Sequence, residues 1–174
     1  MLTVGYKVTR IGIVAPLLWL CAGYAAAADS PAPVKIAVFP FELEDFSAAS
    51  QGGESPHLAK ATEEARKQLA DSGRYVLVDT AAADMSAAKG QALRDCGGCE
   101  AAIARTLGAD QALIGVVSKI SNTEYLIKLQ ISDARSGEVI SKLASELRMG
   151  ADYSWSRGVR SVMQNNVLPA TVKK

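Results

Sequence analysis

The sequence predicts an α/β domain of mixed α+β character, a five-stranded mixed sheet with helices packed on it, in the order β-α-β-α-β-β-β-α. Three observations carry this. A strand–helix–strand succession opens the domain and implies parallel pairing through a right-handed crossover. The run Gln111 to Ile120 is nearly all apolar, the pattern of a strand covered on both faces. Two alternating runs after it read as an antiparallel meander with one core face.

Taken in order, Val34 to Phe41 is the first strand, with Ile36, Val38 and Phe39 as β-formers and Pro40 near its end. Glu42 to Glu54 reads as a loop carrying four acids and Gly52-Gly53. A helix starts at Ser55 as N-cap with Pro56 behind it. Leu58, Ala61, Ala65 and Leu69 share one face, and Gly73 closes it. Arg74 to Asp79 is a short strand. Residues 80–95 are Ala-rich and weakly helical at best. The second helix spans about Cys99 to Leu107, with Cys99, Ile103 and Leu107 on one face and Gly108 after it. In the meander, Tyr125, Ile127, Leu129 and Ile131 alternate with mainly polar neighbours, and Val139, Leu143, Leu147 and Met149 do likewise. The loop from Asp133 to Gly137 joins these strands. Asp152 to Leu168 is the last helix, with Trp155, Val159, Val162, Met163 and Val167 inward and Pro169 after it.

Residues 1–28 read as a secretory signal. Lys7 and Arg10 give a positive start, Ile11 to Tyr24 is apolar, and Ala25 to Ala28 supply small residues for cleavage. Trp19 and Leu20 stand where a lipoprotein signal would carry small residues, so lipidation at Cys21 is not expected. Cleavage after Ala27 or Ala28 leaves no stable membrane span. It removes two basic residues and no acid, which takes the net charge from +1 to −1. Residues 29–33 are then a short lead, and 34–170 a single domain. Such a balanced charge excludes a dedicated nucleic-acid binder.

Of three cysteines, Cys96 and Cys99 survive cleavage, in an oxidising compartment where a pair is expected to be joined. Their Cys-Gly-Gly-Cys spacing at a helix start also suits a redox pair, because free N–H groups and the helix dipole favour thiolate there. A thioredoxin-type motif would follow a strand directly, whereas about 16 residues of weak pattern intervene. Glu100 in place of His removes the c-type haem signature. One Cys pair is half a zinc site and the sole His57 is far away in sequence, so no metal and no cofactor are expected. The acids Glu42, Glu44, Asp45 and Glu54 follow the first strand's C-terminal end, where α/β sheets often hold ligands, and form a candidate ligand loop. His57 reads as an exposed residue at a helix start, with neither Gly-x-Ser-x-Gly nor His-Glu-x-x-His beside it. Arg157 and Arg160 read as a solvated candidate partner surface.

Four segments occur in series: Lys-Ile-Ala-Val-Phe-Pro-Phe (35–41), Asp-Ser-Gly-Arg-Tyr-Val-Leu-Val-Asp (71–79), Leu-Gly-Ala-Asp-Gln-Ala-Leu-Ile-Gly (107–115) and Asp-Ala-Arg-Ser-Gly-Glu-Val (133–139). The series resembles the TolB amino-terminal domain and the periplasmic domain of the curli secretion protein CsgG. The Cys-Gly-Gly-Cys-Glu turn, Lys119 to Asn122 and Trp155 to Arg160 are similar to a family of secreted proteobacterial proteins of unknown function. The resemblance implies a periplasmic α/β fold and supplies no chemistry. The β-propeller of TolB and the membrane hairpins and lipidated Cys of CsgG have no counterpart, so pore formation is not implied. The expectation is a non-enzymatic periplasmic accessory or interaction module with an envelope protein partner. Its rivals are a thiol–disulfide redox or electron-transfer accessory using Cys96 and Cys99, and a small-ligand binder at the acidic loop.

Overall fold

A computed structural model describes residues 32–46, 55–121, 124–148 and 154–168, with Leu2 and Gly5 isolated before them. The signal segment 1–28 and Glu54 therefore lie outside the described residues, apart from those two positions. By contacts the chain divides into Met1–Pro31 and Ala32–Lys174, and the architecture is that of the second unit. Its elements are β1 (Val34–Val38), β2 (Glu42–Asp45), α1 (Ser55–Asp71), β3 (Tyr75–Val78), α2 (Cys99–Thr106), β4 (Gln111–Lys119), β5 (Glu124–Asp133), β6 (Val139–Arg148) and α3 (Ser154–Val162). The strands form one mixed sheet in the order β3-β1-β4-β5-β6, with β2 added on β4. β1 runs parallel to β3 and β4, and β2 parallel to β4. The β4–β5 and β5–β6 pairs are antiparallel.

β2 corrects the expected loop and makes the sheet six-stranded. Pro40 has no N–H with which to continue β1. The chain rejoins the ladder two residues later, on the far half of β4. Ile36–Val38 pair with Gln111–Leu113, and Glu42–Asp45 pair with Val116–Lys119. Gly115 lies at the gap. A Cβ there would run into the ring of Phe41, so the bare glycine makes room for a buried aromatic. Three acids in four residues look solvated in sequence, but in the fold each has a partner that absorbs its charge.

Alternation sorts the strand residues onto two faces. Ile36, Val38, Leu113, Val117, Ile127, Leu129 and Ile131 meet Ala61, Ala65 and Leu69 of α1 and Trp155, Val159 and Val162 of α3. This is the larger core, and each fully buried Leu or Ile in it contributes roughly 1.5–3 kcal/mol. Ala37, Phe39, Ala112 and Ile114 face the other way, against Ile103 and Ala104 of α2 and against Leu93.

Four further expectations are revised. Residues 80–95 hold two 3-10 turns, Met85–Ala88 and Leu93–Asp95, anchored by buried Ala88 and Leu93. The last helix ends at Val162 and loosens into a π-helical turn, Met163–Val167, before Leu168. Val139 is off the core face, because a register shift opposite Ile131 and Ser132 leaves Val139 39% and Ile140 53% exposed. His57 is half-buried rather than exposed: its ring meets that of Trp155 edge-on at 5.5 Å, and Tyr125 closes on Trp155 at 5.2 Å. Among the described residues, no helix is long and apolar enough to cross a membrane.

Candidate functional site

α2 has eight residues, so it is only about 12 Å long. It packs on β4 and reaches β5 through Glu100, and among the described residues no helix covers the rest of that sheet face. The open part is a trough of about 410 Å³ between Arg94 and Asp95 on one side and β6 on the other. Cross-strand pairing lays out its floor. One row is Ile114, Gln130 and Lys142; the next is Val116, Lys128 and Ala144. Apolar and polar side chains thus alternate along a concave surface, as in many ligand and partner sites. A second cavity of about 560 Å³ lies at the ends of β1 and β3, where Arg66 donates to the carbonyl of Val38 and to Thr80.

The trough's charges are fixed in place. Glu44 accepts hydrogen bonds from Ser118 Oγ at 2.6 Å and from Lys128 Nζ at 2.9 Å. The Ser118 hydrogen bond, then that of Lys128, holds the Glu44 carboxyl below the usual glutamate range. Glu42 spans from β2 to the wall. Its carboxylate accepts from the backbone N–H groups of Leu93 (2.7 Å) and Arg94 (3.2 Å) and pairs with the Arg94 guanidinium at 3.1 Å. It therefore caps the second 3-10 turn from 51 residues away in sequence. Asp45 points to the opposite face and lies 3.8 Å from Lys119 Nζ. The acids expected as one ligand loop are thus divided between two faces of a strand, and only Glu44 lines the trough. Lys142, exposed on β6, stands across the floor from them.

The Cys-Gly-Gly-Cys turn follows Asp95 at the trough wall. Cys96 and Cys99 are joined by a disulfide with their Cα atoms 5.6 Å apart, as the sequence led us to expect. Gly97 and Gly98 have φ of 69° and 102°, a conformation open to glycine at little cost, and it lets the two cysteines meet across three residues. Both cysteines are half-buried. Cys96 Sγ accepts the Cys99 N–H at 3.2 Å, yet it also lies 3.2 Å from the carbonyl oxygen of Leu93 and 3.9 Å from Glu100 Oε2. Two oxygens facing one sulfur disfavour negative charge there, and a redox-active pair depends on that charge.

Glu100 is a residue the sequence reading passed over. It is 1% exposed, and Oε1 accepts from Ser132 Oγ at 2.9 Å and from Gln130 Nε2 at 3.0 Å. No lysine or arginine pairs with it among the described residues. Gln130 also lines the trough, so one side chain joins the cysteine turn to the trough floor. A signal was present in the sequence: Lys128, Gln130 and Ser132 recur at period two on β5, and this polar row faces α2 and the trough instead of open solvent.

On the opposite face, Arg160 of α3 donates two hydrogen bonds to Glu64 of α1, at 2.7 and 3.0 Å. The same contact holds the Glu64 carboxyl below its ordinary range. Arg157 is exposed beside it.

Fold and trough together define a small mixed α/β domain with a sheet surface that no helix covers among the described residues. The chain belongs to the DUF3280 family, described as "Protein of unknown function (DUF2380)", whose model matches residues 34–167. Its structure is similar to the LpoB C-terminal domain from Escherichia coli, at 22% identity and a TM-score of 0.50, over 72% of this chain and 90% of that one. It is also similar to the hypothetical protein CT253 from Chlamydia trachomatis, at 14% identity and a TM-score of 0.50, over 76% and 94%. TolB from Acinetobacter baumannii aligns at 16% identity and a TM-score of 0.46, over 75% of this chain and 27% of TolB. No curated protein matches the chain at a significant level.

Proposed function

We propose that the chain is an exported periplasmic accessory module that binds an envelope protein partner across the trough and performs no catalysis of its own. The observation that carries this reading is the trough on the sheet face beside α2, where apolar floor residues alternate with charges already held in place by Glu42, Ser118 and Lys128. A preorganised surface loses little side-chain entropy on binding. Export is supported by the signal-type segment at 1–28 and by the disulfide, which belongs to an oxidising compartment. The oxygens around Cys96 favour a structural staple over the redox reading. Arg157 and Arg160 offer a second contact surface on the other layer.

The test is site-specific crosslinking in cells. A photoreactive residue replacing Lys142 should give one discrete crosslinked protein, and the same probe replacing Lys67 on α1 should not. Crosslinks from Lys67 alone would move the docking surface to the helical layer and overturn the reading.

A further inference from the structure

We infer that Cys96, Cys99 and Glu100 form a metal site in the reduced protein, one that takes a zinc-class divalent ion in place of the disulfide. Their ligand atoms, two sulfurs and a carboxylate oxygen, all lie within 4.8 Å of one another. Ligands of a tetrahedral zinc ion at about 2.3 Å for sulfur and about 2.0–2.2 Å for oxygen sit roughly 3.5–3.8 Å apart. Glu100 Oε2, at 3.9 Å from Cys96 Sγ, lies just outside that spacing, within reach of a small side-chain rotation. Opening of the S–S bond brings the second sulfur into range by side-chain rotation about the glycine turn.

Three features mark the carboxyl group as more than a neighbour. It is 1% exposed yet pairs with no basic side chain among the described residues, and burying a carboxylate without a counter-charge is costly. Its Oε1 is anchored by Ser132 and Gln130, which leaves Oε2 aimed at the cysteines. Such outer hydrogen bonds are how metal sites orient their ligands. Finally, the oxygens that disfavour a bare thiolate at Cys96 become an advantage once a divalent cation supplies positive charge. Because both cysteines are half-exposed, a fourth position stays open to water, the arrangement of three protein ligands plus solvent.

The chemistry balances in two steps. A dithiol reductant delivers two electrons and two protons to the Cys96–Cys99 bond, giving two thiols while the reductant becomes a disulfide. The metal ion then displaces both thiol protons to the buffer as two metal–sulfur bonds and one metal–oxygen bond form. The site is independent of the docking proposal and is tested without any partner.

The experiment uses the purified chain under argon, oxidised or reduced with a phosphine, and titrated with Co²⁺ and then Zn²⁺. The reduced chain should take one Co²⁺ with a thiolate-to-cobalt charge-transfer band in the near ultraviolet, and Zn²⁺ should displace it. The oxidised chain and the Cys96→Ser/Cys99→Ser variant should show no such band. Glu100→Gln should weaken zinc at least about tenfold, and Ser132→Ala, which loosens Glu100 without removing it, about tenfold. Absence of the band in the reduced chain overturns the site, as does equal metal uptake by both redox forms. If Glu100→Gln does not fold by circular dichroism, Ser132→Ala decides, and unchanged zinc affinity in it overturns the role of Glu100.

Discussion

Glu42 is the side chain on which the trough wall depends, and its removal is a sharp test of the architecture. Its carboxylate holds two backbone N–H groups, at 2.7 and 3.2 Å, and one guanidinium. The ion pair is secondary: Arg94 and Glu42 are only 26% and 21% exposed, and the desolvation of both groups offsets much of their attraction. The backbone donors matter more. A hydrogen bond to a charged group contributes about 1.5–3 kcal/mol, and an orphaned buried donor costs about 1–3 kcal/mol. The side chain is partly wet, so water recovers some of this. Glu42→Ala should therefore cost about 2–3 kcal/mol, a large share of a stability near 5–15 kcal/mol. Glu42→Gln keeps one acceptor and should cost about 1 kcal/mol. Urea unfolding gives the magnitudes, provided the slope with urea is unchanged. Amide exchange gives the location: the N–H groups of Leu93 and Arg94 should exchange faster in the Ala variant while those of β4 hold. A loss under about 0.5 kcal/mol, or unchanged exchange at Leu93 and Arg94, would refute the claim that β2 holds the wall.

Other outcomes follow from the same contacts. Trp155→Ala removes a ring that is 6% exposed and packed on His57 and Tyr125; it should cost about 3–5 kcal/mol in chemical unfolding. The Cys96→Ser/Cys99→Ser variant should fold with a lower melting temperature, since the chain-entropy model assigns so short a loop about 2 kcal/mol. Stability should fall on acidification. Glu44 and Glu64 both have carboxyls lowered in the folded state, by Ser118 and Lys128 in one case and Arg160 in the other. The unfolded chain therefore binds protons first, and the stabilisation present above the ordinary glutamate range is lost as pH drops through and below it. Glu64→Gln should flatten that acid limb in melts taken across pH.

The sequence made the core legible because apolar periodicity depends only on local spacing. Leu58, Ala61, Ala65 and Leu69 sit at helical intervals, and Tyr125, Ile127, Leu129 and Ile131 at strand intervals, and these residues pack as their intervals predict. The Cys96–Cys99 pair was legible for a chemical reason, as two nearby thiols in an exported chain. β2 was not legible. Glu42, Glu44 and Asp45 resemble solvent-facing residues, and their partners Arg94, Ser118, Lys128 and Lys119 are 52 to 84 positions away or known only through pairing with β4. Glu100 was hidden the same way, because Ser132 and Gln130 reach it only after β5 is docked. Periodicity reveals which face is buried, whereas charge pairing across a sheet needs the topology first.

The topology also explains why the trough exists. β1 connects to β3 in one direction across the sheet, and β3 returns to β4 in the other. Right-handed crossovers that run in opposite directions put their helices on opposite faces. Hence α1 lies on one face and α2 on the other, and α2 is set over β4 with Glu100 reaching β5. β5 and β6 are added by hairpins, which bring no helix with them. The next described helix, α3, returns to the α1 face, where Arg160 binds Glu64. Neighbouring strands are about 4.8 Å apart, so the β5–β6 hairpin carries the sheet roughly 10 Å beyond β4, more than an eight-residue helix seated over β4 and the Gln130–Ser132 part of β5 shields. The open surface over Lys128, Gln130 and Lys142 is thus a consequence of chain order. What evolution could choose was the side chains on it, and at Gln130 it placed one that reaches from the trough to Glu100 and the cysteine turn.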